Sequence, residues 1–167
     1  ARALDQAGIQ PGEVVVLILQ HGASLPYAFF GAVLHGAIPS ILPFLTEKLS
    51  PDQYRRSLTA LFEVTAPAAV ITYPEFESEV LRALADQPNG VRQILIDSRI
   101  PLDTGINLSS LAGLERQPQD IVLLQHSSGT TGLQKGVALS HQATFNQLDS
   151  LREALQLVPE DVFVSWL

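Results

Sequence analysis

The sequence contains neither cysteine nor methionine among its 167 residues, and charged residues make up only 16% of it. Without cysteine, disulfide bonds and thiolate metal sites are excluded. Without methionine, residue 1 is not a translation start, so we expect the chain to be a piece of a longer protein. Basic residues are also scarce, with 10 Lys and Arg against 17 Asp and Glu. The resulting net charge of -7 argues against a nucleic-acid-binding surface.

Hydrophobic residues are plentiful, at 46% of the chain, and predict a folded domain with a core of its own. One stretch without formal charge, residues 23–45, is long enough to span a membrane. Three prolines and two glycines interrupt it, however, and Gly36 and Pro39 instead separate a buried helix from a strand. We therefore expect no transmembrane span and, with no recognisable signal peptide, a cytoplasmic protein.

Apolar, β-branched runs alternate with segments of helical periodicity along the chain. This alternation predicts an α/β fold of three layers, with a mostly parallel sheet flanked by helices, in a single unit over residues 1–167. A loop-rich excursion with one short helical turn near 108–111 is expected at 98–119. Strands are predicted at 14–19, 38–42, 68–72, 93–96, 120–124, 137–139 and 162–164, and helices at 1–8, 25–35, from 50 onward, 75–85 and 142–157.

Local signals refine several of the predicted helices. Ser50 precedes Pro51 and is followed by Gln53 three positions later, a pattern that predicts a capping box. Ser140 is expected to cap the helix after the last predicted loop. In the 75–85 helix the predicted inward residues are Val80, Leu81 and Leu84. The 142–157 helix carries an apolar side made of Phe145, Leu148, Leu151 and Leu155.

The most informative stretch is QHSSGTTGLQKGVALSH at 125–141. Its residues 127–137 hold three glycines, four hydroxyl residues and one lysine, and they follow a predicted buried strand. Glycine backbone can approach a ligand closely, successive N–H groups can form an anion nest, and hydroxyls and lysine add donors and charge. This composition predicts a phosphate-binding loop at 126–136. The candidate nucleotide-binding residues are Ser127, Ser128, Gly129, Thr130, Thr131, Gly132, Lys135 and Gly136.

Other interpretations of this loop are less consistent with its spacing. A Walker loop needs four residues between its glycine and Gly-Lys, whereas five residues separate Gly129 from Lys135. Gln134 also stands where the second Walker glycine belongs, and Gly136 where a hydroxyl belongs. A GxGxxG dinucleotide fingerprint is absent as well. A Ser/Gly/Thr surface turn without a ligand remains the ordinary alternative.

The loop resembles that of the acyl-adenylate-forming superfamily, which includes acyl-CoA synthetases, fatty-acyl-AMP ligases and adenylation domains. The family loop has two hydroxyl residues, glycine, two more hydroxyl residues, glycine, any residue and Pro-Lys-Gly, often followed by valine and a hydroxyl–histidine pair. The chain matches it through Ser140-His141 and departs from it once, where Gln134 replaces proline. Gly36-Ala37-Ile38 is similar to the end of the family's first helix, and the terminal residues 162–167 resemble fatty-acid-activating members.

The resemblance implies a two-step reaction. A carboxylic acid, here expected to be a fatty acid, reacts with MgATP to give an acyl-adenylate and pyrophosphate. The acyl group then passes to coenzyme A or to the phosphopantetheine of an acyl carrier protein. Thr130, Thr131 and Lys135 are implied to contact phosphates, and Ser127 to lie near Mg²⁺. The adenine contacts, the acidic metal ligand, the acyl pocket and the catalytic lysine are expected beyond residue 167, so no catalytic residue is assigned here.

The remaining candidates have ordinary structural explanations. His126 either lines a pocket or is a hydrogen-bonded structural residue, whereas His141 is expected to serve the helix start. His21 and His35 are interpreted as structural, and Trp166 as a core residue or part of an acyl pocket. Two other classes of protein stay open: a different nucleotide-binding enzyme with a similar loop, and a non-catalytic nucleotide-binding or interaction domain.

Overall fold

The computed structural model describes residues 1–44, 50–85, 91–101, 105, 107–127 and 135–162. Short 3-10 turns occur at Pro74–Phe76, Asp97–Arg99, Leu108–Ser110 and Ala112–Glu115. The helices are α1 (Arg2–Gln6), α2 (Ser24–His35), α3 (Pro51–Thr65), α4 (Glu77–Leu84) and α5 (His141–Leu155). The strands are β1 (Val14–Ile18), β2 (Ile38–Ile41), β3 (Ala69–Thr72), β4 (Gln93–Ile96), β5 (Ile121–Ser127) and β6 (Lys135–Ser140).

The strands form one sheet in the order β4-β3-β1-β2-β5-β6. β1 pairs in parallel with β2 and β3, β3 with β4, and β2 with β5. Among the strands of the described residues, β6 alone runs antiparallel, and it lies beside β5. The predicted mostly parallel α/β fold is therefore confirmed. The strand predicted at 162–164 lies, apart from its first residue, outside the described residues.

The sheet is covered on both faces, which explains why β1 is apolar at every position. Val15 and Leu17 belong to one core cluster, which also contains Leu4 of α1 and Ala32 of α2. Alternate residues of β1 point the other way. Val16 and Ile18 accordingly join a second cluster, whose helical members are Leu58, Leu61 and Phe62 of α3 and Val80 and Ala83 of α4. The two clusters lie on opposite faces of the sheet, so helices, sheet and helices form the three predicted layers.

Helix termini agree with most of the predicted signals. Gly8 follows α1 with φ +72 and Gly36 follows α2 with φ +85, so glycine occupies the left-handed position that closes each helix. The Ser140 hydroxyl accepts a hydrogen bond from the Ala143 N–H at 3.1 Å, which confirms the predicted cap. Ser50 occupies the N-cap of α3, but its side chain makes no capping bond. The capping box with Gln53 was therefore wrong, and Pro51 at the first helical position marks the start.

Two apolar faces differ from expectation. Leu81 was predicted to point inward but is 54% exposed, because Val80 and Ala83 define the buried side of α4 and Leu81 lies about 100° around the helix from Val80. On α5 no residue is buried. The apolar side predicted there exists, but its members are exposed: Phe145, Leu148, Leu151 and Leu155.

The excursion before β5 is attached to the end of α2. The Arg116 Nη2 donates a hydrogen bond to the Gly36 carbonyl at 2.6 Å, and the backbone of Gly113 lies against the carbonyl of Val33. The predicted helical turn near 108–111 is confirmed as the 3-10 turn Leu108–Ser110. Within the described ranges, none of the helices has the length and apolar character needed to cross a membrane.

Candidate functional site

The predicted phosphate loop connects two paired strands at the edge of the sheet. Ser127 is the last residue of β5 and Lys135 the first of β6, and these two residues face each other in the antiparallel register. The segment between them, 128–134, lies outside the described residues. Five predicted site residues are therefore not placed, namely Ser128, Gly129, Thr130, Thr131 and Gly132. Ser127 and Lys135 are placed as strand residues only, without a description of their side chains.

β5 is longer than the apolar pattern indicated. The predicted strand ended at Leu124, whereas β5 continues through Gln125, His126 and Ser127 because each of these residues pairs with one on β6. Antiparallel pairing satisfies the backbone N–H and C=O groups of polar residues as well as those of apolar ones. Residues 127 and 135, one at each end of the predicted loop, therefore belong to the β5–β6 ladder, and seven residues of the chain lie between them.

The loop leaves the sheet at the carboxyl ends of the parallel strands. β5 lies beside β2, with Leu124 opposite Ser40, and β2 lies beside β1. Ligands of open α/β sheets bind at this edge. The segments that follow β1 and β2 meet there too, since the rings of His21 and Phe44 contact each other edge to face with centroids 5.4 Å apart. β5 therefore ends at the carboxyl edge, as predicted for the strand that precedes the loop, and the placement of the loop itself stays a prediction.

His126, the residue before the loop, has a specific partner. Its Nε2 lies 2.8 Å from the Oγ of Ser40, which is completely buried in β2. Burial lowers the pKa of the His126 imidazole, so the neutral ring predominates at neutral pH. Ser40 was not among the predicted site residues, although a serine in the middle of the apolar run at 38–42 was the available signal.

Gly136 lies directly opposite His126 in the hairpin. A Cβ added to Gly136 would lie 3.5 Å from the His126 Cε1, an ordinary van der Waals separation. The histidine ring therefore rests over the backbone of Gly136. This contact does not by itself require glycine, and the phosphate-binding role of Gly136 stays a prediction.

The other histidines agree with structural interpretations. The His35 Nε2 lies 2.8 Å from the carbonyl oxygen of Ile9, and the side chain is buried. His141 is the first residue of α5, where its backbone N–H donates to the Asp120 carbonyl at 3.1 Å. Trp166 lies outside the described residues. Across the described ranges, no group of three His, Asp or Glu side chains is arranged to hold a metal ion.

A mostly parallel sheet with a Ser/Thr/Gly/Lys loop at its carboxyl edge is an arrangement typical of nucleotide-binding α/β proteins. The sequence profile of the AMP-binding enzyme family matches residues 1–167, the whole chain. The chain therefore belongs to the AMP-binding enzyme family, and the resemblance stated from the loop is confirmed.

Individual relatives agree with this assignment. A 4-coumarate–CoA ligase of Humulus lupulus is 33% identical over 151 residues, covering 85% of this chain and 26% of the relative. A 4-hydroxybenzoate–CoA/benzoate–CoA ligase of Rhodopseudomonas palustris is 30% identical, covering 84% of this chain and 26% of the relative. A structure from a study of fatty acyl-adenylate ligases from E. coli and L. pneumophila superimposes with a TM-score of 0.79, at 26% identity, over 99% of this chain and 29% of that one. The chain spans under a third of each.

Proposed function

We propose that this protein activates a carboxylic acid with ATP to an acyl-adenylate and then forms a thioester with coenzyme A or with a carrier-protein phosphopantetheine. The observation that carries the proposal is the loop SSGTTGLQKG, whose two ends are paired strand residues at the carboxyl edge of a parallel sheet. Family membership supports it, because the relatives include CoA ligases and adenylate ligases.

The loop residues would act on the phosphates of ATP. The backbone N–H groups around Gly129 and Gly132 and the hydroxyls of Ser128, Thr130 and Thr131 would orient the phosphate oxygens. Lys135 would add a full charge, worth roughly 4 kcal/mol at about 4 Å and an effective dielectric of 20 before desolvation. Positioning and charge neutralisation together favour attack by the carboxylate on the α-phosphorus and departure of pyrophosphate.

Mg²⁺ would accompany the nucleotide. This ion takes oxygen ligands, retains several waters and is held largely by substrate phosphates, so a site needs few protein groups. The Ser127 hydroxyl is the candidate protein ligand in this chain. Bound Mg²⁺ would supply charge neutralisation on the phosphates, while the loop residues bind and orient the nucleotide.

The acid is proposed to be a fatty acid, supported by the terminal residues 162–167 and by the fatty acyl-adenylate ligase structure. An aromatic acid is the second candidate, since the sequence relatives at 33% and 30% identity are named for 4-coumarate and for benzoates. Coenzyme A and an acyl carrier protein are both retained as acceptors. A cytoplasmic location, where ATP and coenzyme A are available, is part of the same proposal.

The 167 residues alone are proposed to lack ligase activity. The chain spans 26% of the Humulus ligase and 29% of the fatty acyl-adenylate ligase chain. Formation of acyl-AMP or acyl-CoA by the purified 167-residue chain would contradict this part of the proposal.

The test compares the complete gene product with its Lys135→Ala variant. ATP binding is measured first, and pyrophosphate release is then followed with a panel of fatty and aromatic acids. Loss of one preorganised charge at the reacting phosphates is expected to lower kcat/KM by about 100-fold or more. Arg152→Ala is the matched control, because it removes one positive charge from an exposed i,i+3 ion pair on α5 and should leave the reaction unchanged.

Each outcome separates the proposed classes. Acid-dependent release that falls in Lys135→Ala but not in Arg152→Ala supports adenylation, and the preferred acid identifies the substrate class. ATP binding without release for any acid favours another nucleotide-binding enzyme. Absence of ATP binding favours a non-catalytic interaction domain.

A further inference from the structure

The hydrogen bond between Ser40 and His126 joins the centre of the sheet to the base of the loop. The two residues are 86 positions apart in the chain, and their Oγ and Nε2 atoms are 2.8 Å apart. Ser40 lies opposite Leu124 in the β2–β5 register. His126 follows Leu124 by two residues and so lies on the same face of β5. The bond therefore runs diagonally from β2 to the end of β5, next to the loop.

Ser40 and His126 each rely on the other as a hydrogen-bond partner. Ser40 has no exposed surface, so its hydroxyl cannot bond to bulk water if His126 is lost. A buried hydroxyl without a partner is destabilising, and this makes the pair costly to separate. With the pKa of His126 lowered by burial, the neutral ring has one donor and one acceptor nitrogen. The serine hydroxyl can complement either role.

The His126 side chain links β5, the strand before the loop, to β6, the strand after it, and to β2. It is part of β5, it bonds to β2 through Ser40, and it rests over Gly136 of β6. Ser127, the first loop residue, follows it directly, and Lys135 precedes Gly136. The contacts of the His126 ring therefore lie next to Ser127 and Lys135, the two strand positions between which the loop runs.

We propose that Ser40 and His126 are a positioning pair that fixes the phosphate loop relative to the parallel sheet and so sets the affinity for MgATP. This inference rests on the proposed function, because it assigns the loop to ATP. Neither residue is a catalytic residue, since both act through the backbone of the loop. The distinction from ordinary core packing is that the pair governs nucleotide affinity in addition to stability.

The experiment uses Ser40→Ala, His126→Phe and the double variant in the complete gene product. MgATP affinity is measured by calorimetry, and backbone hydrogen exchange at 127 and 135 is measured without nucleotide. Each single variant is expected to weaken MgATP binding by about tenfold and to speed exchange at both positions. The double variant should be no weaker than the singles, because either change removes the same bond.

Two controls separate positioning from stability. His126→Gln retains an amide that can reach Ser40, so binding within about threefold of the wild type is expected. His35→Gln alters the other Nε2 bond of 2.8 Å, to Ile9, away from the loop. It is expected to lower the unfolding temperature while MgATP affinity and exchange at 127 and 135 stay unchanged.

The possible results distinguish this inference from the proposed function. If MgATP binds normally to Ser40→Ala and His126→Phe but weakly to Lys135→Ala, the positioning pair is wrong and the proposed function stands. Faster exchange with unchanged MgATP affinity also overturns the positioning pair, because the bond would then be structural only. If the wild type itself does not bind MgATP, both proposals are overturned together.

Discussion

At the scale of single residues, Glu13 and Arg92 form an ion pair through two hydrogen bonds. The Arg92 Nη1 donates to the Glu13 Oε1 at 2.9 Å, Nη2 pairs with Oε2, and the Gln10 N–H also donates to Oε2 at 2.8 Å. The hydrogen bond from Arg92 is the main cause that lowers the pKa of Glu13 below its ordinary value of 4.5. The carboxylate joins the residue before β1 to the residue before β4.

This pair predicts a stability difference that depends on pH. Because the pKa of Glu13 is lower in the folded state, its contribution is present above about pH 4.5 and is lost as pH falls through the folded value. Glu13→Gln should therefore be less stable than the wild type at pH 7, and the difference should shrink towards pH 3. Urea unfolding across this range measures it, with Glu63→Gln on the exposed side of α3 as control. A difference that stays constant with pH would contradict the assignment.

Residues differ in how far the sequence can predict their roles. The loop residues 127–136 form a contiguous stretch, so their composition predicts a phosphate-binding loop, and their resemblance to the family loop indicated the family that the profile confirms. Their contacts with phosphate stay a prediction. Ser40 could not be identified in this way, since its partner His126 lies 86 residues away and the register of β2 and β5 brings them together. The prediction that Leu81 points inward was wrong for a related reason. The orientation of α4 on the sheet decides which of its apolar residues face inward.

At the scale of elements, Gly113 determines how the excursion before β5 packs on α2. A Cβ added to Gly113 would lie 2.1 Å from the Val33 carbonyl oxygen and 2.6 Å from that of Leu34. These are backbone atoms at the end of α2, so no side-chain rotation can relieve the overlap. The Arg116 bond to Gly36 holds the same junction three residues later.

Gly113→Ala is therefore expected to destabilise the protein by at least about 2 kcal/mol, because α2 and the turn Ala112–Glu115 must separate. For a chain of this length that corresponds to a fall in the unfolding temperature of roughly 4–8 °C. Gly22→Ala is the matched control: an added Cβ there meets nothing within 4 Å, and the change should stay within about 0.5 kcal/mol. Equal unfolding temperatures for the two variants would show that the turn does not pack closely on α2.

Elements also differ in predictability. The central strands were placed within one or two residues, since a strand covered on both faces needs a continuous apolar run. The predicted end of β5 was three residues too early, because the polar residues 125–127 are stabilised in the strand by pairing with β6. The turns within 98–119 were mostly not predicted. Their positions depend on contacts with α2, such as those of Gly113 and Arg116, and those contacts leave no periodic signal in the sequence.

At the scale of the whole molecule, burial is concentrated around β1 and β3 and decreases towards β6. All four residues of β3 are buried, whereas α5 has no buried residue and presents an apolar side to solvent. A helix with a polar outer face normally directs its apolar face to a core. In α5 the apolar pattern and the solvent exposure therefore disagree, and the disagreement can be measured directly in the 167-residue chain.

The double variant Leu148→Gln/Leu151→Gln tests whether the apolar face of α5 is exposed to solvent. These side chains are 54% and 43% exposed, so each substitution should change the free energy of unfolding of the 167-residue chain by less than about 0.5 kcal/mol. Binding of a hydrophobic dye and self-association should both fall, since contiguous exposed apolar surface promotes them. Phe62→Ala, at a side chain only 2% exposed, is the contrasting control and should cost about 3–5 kcal/mol. A loss from the double variant as large as that from Phe62→Ala would mean that the apolar face of α5 is packed in solution and not exposed.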